Sequence, residues 1–194
     1  MLSVLIALPA ARAMGLYFFR GRTAIEFFLL APVLIPGIAV GLGLQLTFLR
    51  LGLAGNEIGV TLVHLVPALP YATIILAGVF SNYQPEFEDQ ARTLGASRLK
   101  TWWYVMLPAI RPGLAVAAFF AFLISWHQFV LTLLIGAGRV ISLPILVFSL
   151  ISGGNLQLTS VISLMFILPA LLMLLLVSRY LQPGKALGEG VEDS

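Results

Sequence analysis

Gln45, His64, Ser125, Trp126, His127 and Gln128 are polar or hydrogen-bonding side chains set inside long apolar runs of this chain. In hydrocarbon each costs free energy unless it faces a partner or water, so such residues either bind a solute or tie helices together. The densest set is SWHQF, Ser125 to Phe129, where Trp126 and Phe129 can stack on a planar or cationic ligand. For each residue taken singly, an interhelical hydrogen bond is the competing role.

Patterns for covalent chemistry are weak. Ser97 and Lys100 have S-x-x-K spacing without the elements that accompany a serine nucleophile of that kind. Gly184 and Lys185 lack the upstream glycine of a G-x-x-x-x-G-K-[ST] phosphate cradle, and H-E-x-x-H does not occur. Cysteine is absent, which removes thiolate ligands and thiol nucleophiles. No catalytic residue, metal ligand, cofactor or nucleic-acid partner is expected of this chain. It reads as a binding and conduit subunit.

The positioning elements follow from composition. With 60% hydrophobic residues, 10% charged residues and a mean hydropathy of +1.03, the chain belongs in a bilayer. About 20 apolar residues cross a hydrocarbon core of roughly 30 Å. The runs are Met1 to Phe19, a poor span by itself because Pro9 and Arg12 interrupt it, then Glu26 to Leu49, Ile58 to Phe80, Leu107 to Ile135 and Leu158 to Leu181. They lack the alternation of a membrane barrel, so the expected fold is an all-α polytopic bundle with about five membrane segments. Val140 to Ile151 is too short to span, carries Pro144 and reads as an interfacial or re-entrant helix. The membrane domain occupies 1–181 and a polar tail 182–194.

Alternating spans place Arg12, Arg20, Arg22, Arg92, Arg98, Lys100, Arg111, Arg179 and Lys185 on one side and only Arg50 and Arg139 on the other. This bias predicts that the first side, with the C-terminus, is cytoplasmic. Met1 then begins on the outer side, which suggests a further helix upstream; a signal peptide is disfavoured because Met1 to Ala11 has no basic n-region. In this orientation Gln45, His64, His127 and Gln128 fall within roughly 12 Å of the outer boundary at ~1.5 Å rise per residue, suggesting an outer polar chamber.

Local signals add detail. Thr23 and Glu26 have capping-box spacing. Pro36 and Gly37 should bend the second run, while Gly37 with Gly41, and Gly113 with Ala117 and Ala121, have the spacing of close helix contacts.

Residues 83–113, YQPEFEDQARTLGASRLKTWWYVMLPAIRPG, form the one long charged interval and hold seven of the nineteen Lys, Arg, Asp and Glu residues. Pro85 suits the first turn of a helix whose positive end favours Glu86, Glu88 and Asp89, and Gly95 suits its end. Phe87, Ala91 and Leu94 would share one face. Ser97 can cap a second short helix through Tyr104, before Pro108 and Pro112 lead the chain back into the membrane. The result is a helical elbow projecting from the bilayer; an amphipathic segment lying on headgroups, with Trp102, Trp103 and Tyr104 at the interface, is the alternative.

At these residues the chain resembles the integral membrane permeases of binding-protein-dependent ABC transporters. Their signature, EAA, three residues, G, then LP and PG, is matched by DQARTLGAS and VMLPAIRPG. Asp89, Gln90 and Ala91 stand at the EAA positions, Gly95 at the glycine, Leu107 and Pro108 at LP, and Pro112 and Gly113 at PG. Asp replaces Glu and Gln replaces Ala at the first two positions.

The resemblance implies that Phe87, Glu88, Asp89, Gln90, Ala91, Leu94, Gly95 and Ala96 seat in a groove of a cytoplasmic ATPase dimer that carries the ATP and Mg. It also implies a second permease, identical or different, an extracytoplasmic solute-binding protein and a bacterial-type inner membrane. Relatives have about six helices. SWHQFVLTLLIGAGR and SGGNLQLTSVISLMFILP look similar to the polyamine and thiamine branch, although many polyamine permeases carry acidic residues where His127 and Gln128 stand. An ion-gradient transporter would need buried carboxylates in the spans, where none of the eight acidic residues lies. A membrane assembly protein that merely recruits partners is the third class.

Overall fold

A computed structural model describes residues 1–181, without the side chains of 179–181; the tail expected over 182–194, with Lys185, and the Arg179 side chain lie outside the described residues. Regular structure among the described residues is helical throughout. The elements are α1 (Leu2–Leu16), α2 (Arg22–Leu34), α3 (Gly37–Arg50), α4 (Glu57–Ser81), α5 (Glu86–Thr93), α6 (Arg98–Thr101), a π-turn (Trp102–Met106), α7 (Leu107–Trp126), α8 (Val130–Gly136), α9 (Leu143–Ser152) and α10 (Leu156–Leu181).

Among the described residues, three helices are long and apolar enough to cross a membrane: α4, the continuous helix Arg98–Trp126, and α10. The pair α2 and α3 makes a fourth only if counted together, because the axis turns by 98° between them. The bend expected at Pro36 and Gly37 is therefore a break. Pro36 has no amide hydrogen to continue the ladder of α2 and sits in extended backbone ahead of α3. At 15 residues α1 is short, and α9 is a 10-residue apolar helix where a non-spanning one was expected.

The core lies between α1, α4 and α7. Val4, Ala7 and Ala11 of α1 meet Ala72, Leu76 and Phe80 of α4, and Ile110, Ala117 and Ala121 of α7 close the cluster. These residues recur three, four or seven positions apart, so each helix buries one stripe. Small residues let the backbones approach. A Cβ on Gly15 would stand 2.5 Å from the Phe80 Cβ and 2.6 Å from the Ala77 carbonyl oxygen, and one on Gly113 would overlap Val79. The expected Gly113, Ala117 and Ala121 stripe is thus the α4–α7 contact. On α3 only one of the two glycines acts this way, since Gly41 abuts Leu131 and Leu134 of α8 while Gly37 faces open space.

Three local expectations need correction. Gly21, left-handed at φ 93°, caps α2, which puts Thr23 inside the first turn without a cap bond; Glu26 instead accepts from Arg22 at 2.9 Å. Ser97 caps α6, accepting from the Lys100 amide at 3.4 Å, but the helix does not stop at Tyr104. It runs through the π-turn to Trp126. Pro108 lacks an amide hydrogen and its ring would crowd the carbonyl four residues back, and the wider turn, with the Leu107 amide donating to the Trp102 carbonyl, accommodates it. Finally, the run from Leu107 to Ile135 is broken at His127, whose amide and ring Nδ1–H both donate to the Leu123 carbonyl, at 3.0 and 2.8 Å, ending α7.

Candidate functional site

The elbow is an eight-residue helix, α5, set between α4 and the long helix that includes α7. Pro85 precedes it, Glu86, Glu88 and Asp89 fill its first turn, and Arg92 is in its last, an order that suits the helix dipole at both ends. Its exit uses the two paired bonds of a Schellman motif. The Ala96 amide donates to the Ala91 carbonyl at 3.0 Å and the Gly95 amide to that of Arg92 at 3.0 Å, with Gly95 at φ +87°. A side chain at position 95 would be strained, so the glycine fixes where the helix stops.

The outward face is apolar and open: Phe87 is 51% and Leu94 89% exposed, with Ala91 half-buried between them. Asp89, Gln90 and Gly95 are exposed and Ala96 is half-buried. Phe87 also lines a cleft of about 510 Å³ shared with Pro112 and Gly113, so the two ends of the charged interval meet.

Glu88 departs from the expected docking set. It is 4% exposed and turned inward, where both its oxygens accept from Arg12 Nη2 of α1, at 3.0 and 2.9 Å. The cause is charge: Arg12, alone in an apolar helix, draws the carboxylate in. Arg12 Nη1 also donates to the Met106 sulfur at 3.0 Å, joining α1, α5 and the π-turn at one guanidinium. Arg92 stands 3.5 Å from the same carboxylate. The nearby Tyr83 hydroxyl is buried without a hydrogen-bond partner among the described residues, and burial first, then Glu88, push its phenol up to about 12. The only sequence signal of this junction was Arg12 itself.

At the far end of the bundle from α5, the polar residues divide. His64 Nε2 lies 2.8 Å from Thr132 Oγ1, which donates its own proton to the Gln128 carbonyl at 2.7 Å. Nε2 must therefore carry hydrogen and donate, leaving Nδ1 to accept from the Ser125 hydroxyl at 2.9 Å. This proton count fixes the tautomer of a neutral imidazole. The chain Ser125, His64, Thr132, Gln128 carbonyl clamps α4 to α7 and α8 across the break after Trp126. Thr132 was missed in the sequence because a threonine in an apolar helix is unremarkable.

His64 and Ser125 also wall a cavity of about 400 Å³ with Glu57, Thr61 and Phe122. Trp126 points elsewhere: its Nε1 donates to the Phe166 carbonyl of α10 at 3.0 Å and its ring stacks with Phe122 and Phe166. His127 is edge-on to Phe166, at 5.1 Å. Neither lines the cavity with His64, nor do Gln45 and the Gln128 side chain, both half-buried. The expected single polar chamber is thus a cavity at His64 and Ser125 and a separate aromatic seam to α10. The Trp126 ring is already stacked on protein rings, while Phe129 lines a separate apolar cleft with Phe148 and Phe166.

Among the described residues, an all-helical bundle with apolar spans and a short helix between two of them defines a polytopic membrane-type protein. The chain belongs to the family described as binding-protein-dependent transport system inner membrane component, which it matches over residues 4–184. It is an ABC transporter permease and, as a family, these are transport proteins rather than enzymes.

It is 30% identical over 189 residues to ABC transporter permease protein ORF1 of Streptomyces antibioticus, covering 96% of this chain and 82% of that one. It is 28% identical over 142 residues to the putrescine transport system permease protein PotI of Escherichia coli, covering 70% of this chain and 50% of that one. It is 31% identical over 151 residues to the molybdenum transport system permease protein ModB of Mycobacterium tuberculosis, covering 72% and 56%. The chain thus spans about half the length of these last two relatives. In fold it is similar to a bacterial ABC transporter that imports the acidic polysaccharide alginate, with a TM-score of 0.65 at 21% identity, covering 93% of this chain and 69% of that one.

Proposed function

We propose that this chain is the permease subunit of an ATP-driven importer in a bacterial-type inner membrane, with α5 seated in a cytoplasmic ATPase dimer. The observation that carries the reading is the open apolar face of Phe87, Ala91 and Leu94 on a helix held at its flank by Glu88. A helix open on one face and anchored beside it can receive a partner without losing its place. Phe87, Asp89, Gln90, Ala91, Leu94, Gly95 and Ala96 belong to the contact; Glu88 serves as its anchor.

ATP-driven closure of the ATPases would push α5, and the packed helices would open a path toward a solute-loaded extracytoplasmic binding protein. Hydrolysis would reverse the movement. A second permease, identical or different, would cover the exposed faces of α3 and α10 and complete the path. The basic residues near α5 support a cytoplasmic location for it. Relatives named for putrescine, molybdenum and diacetylchitobiose leave the solute at the level of a small nutrient, with polyamines and thiamine as the first probes.

The test is Ala91→Arg, which adds bulk and charge at the centre of the open face. The variant should fold but fail to co-purify with the ATPase and lose ATP-dependent uptake of labelled putrescine or thiamine by vesicles whose parental transporter takes up that probe. Undiminished co-purification would remove Ala91 from the contact.

A further inference from the structure

We propose that the Arg12–Glu88 pair is the strut through which displacement of α5 reaches α1 and, through α1, α4. The inference rests on the reading of α5 as the surface that an ATPase moves.

Among the described residues, the side-chain hydrogen bonds reaching α5 from a distant part of the sequence are the two from Arg12. On either side α5 is bounded by non-helical chain, residues 82–85 and 94–97. Beyond the second of these lies the π-turn, where the ladder changes register. The covalent route from α5 into α7 is therefore not one continuous helix.

The Arg12 route is direct. One guanidinium nitrogen donates to both oxygens of the carboxylate, a charge-assisted contact, and Glu88 is buried where water competes poorly. Glu88 projects about a quarter turn round α5 from the Phe87, Ala91 and Leu94 face, at ~100° per residue, so the strut leaves that face free. At its other end, Arg12 lies on the helix whose most extensive contact is with α4. That contact is made by Ala7, Ala11 and Gly15, with backbone close to backbone and little side-chain slack. A pull on Arg12 thus moves α1 and α4 as one body. The bond from Arg12 to Met106 adds the π-turn to the junction, so the guanidinium registers both routes. Arg12 and Glu88 are positioning residues in this scheme, since neither faces the open surface of α5.

Because the chain has no cysteine, introduced cysteines label single sites in it. Leu5→Cys on α1 and Leu175→Cys on α10, both on exposed positions, carry spin labels for pulsed distance measurement in the assembled transporter, without nucleotide and with ATP, Mg and vanadate. In a separate sample, Ala91→Cys reports seating of α5 by cross-linking to the ATPase. The parental pair should shift its distance on nucleotide binding. Glu88→Gln, which keeps the volume and removes the charge, should keep the cross-link but lose the shift. Arg12→Glu with Glu88→Arg should restore the shift, an outcome a merely structural role does not foresee. A shift of parental size in Glu88→Gln, with the cross-link intact, overturns the strut and leaves the docking reading standing. A parental shift in Arg12→Met with Glu88→Leu, which removes both charges, overturns the strut in the same way, and this double variant is read if Glu88→Gln fails to assemble. Absence of the cross-link in the parental background overturns the docking reading, and the strut with it.

Discussion

His64 Nδ1 accepts the Ser125 hydroxyl hydrogen at 2.9 Å, across 61 positions of sequence, and this bond orients the ring so that Nε2 can reach Thr132. One imidazole therefore holds three helices at a point where the main chain itself is interrupted. His127, the other histidine, bonds only the carbonyl one turn back on its own helix.

The two histidines should differ in their effect on stability. His64→Ala removes two interhelical bonds, each of about 0.6 kcal/mol on average in membrane bundles, so a loss of about 1 kcal/mol is expected. His127→Ala should cost less, because its bond crosses no interface. Unfolding in detergent micelles compares them, and equal losses would deny the clamp.

Arg12→Ala should be among the most damaging polar substitutions. It leaves Glu88 buried, and breaking a buried pair costs about 3–5 kcal/mol, here at the low end because Arg92 stands 3.5 Å away. Arg12→Met with Glu88→Leu removes both charges and should recover most of the loss. A double variant no more stable than Arg12→Ala in the same assay would refute this account.

Glycine substitutions on α3 should separate sharply. Gly41→Val drives a branched side chain toward Leu134, where even a Cβ would sit 2.5 Å away, and overpacking of this kind costs about 1–3 kcal/mol. Gly37→Ala meets nothing and should be neutral or slightly stabilising. Comparable thermal shifts for the two would contradict the α3–α8 contact.

Tyr83 gives an alkaline pH dependence. Folding raises its pKa from 10.0 to about 12, so the neutral phenol contributes stability that is complete below pH 10 and lost as pH rises toward 12. Ultraviolet titration should show one tyrosinate step at the alkaline end that disappears in Tyr83→Phe. If the variant leaves that end of the titration unchanged, the hydroxyl is not in the environment described.

The amino-acid order alone determined the membrane class, the position of most helices and the elbow at 83–113. These depend on local properties: run length against bilayer thickness, Pro85 at one end of α5 and Gly95 at the other, and small residues repeating at helical spacing. Where one local signal hid a competing one, the reading slipped. The second short helix read as ending at Tyr104, with Pro108 and Pro112 restarting the chain, yet the π-turn lets one helix continue; Leu107 to Ile135 read as one run, yet His127 ends α7.

Which polar groups meet was decided by tertiary structure, because a hydrogen bond depends on the relative rotation of helices far apart in sequence. Trp126, His127 and Gln128 are adjacent to Ser125, but only Ser125 turns toward His64. Glu88 and Asp89 are neighbours of the same charge, yet a rotation of ~100° buries one against Arg12 and leaves the other in solvent. Sequence supplied the inventory of charges; the packing of α1 on α4 selected the pair.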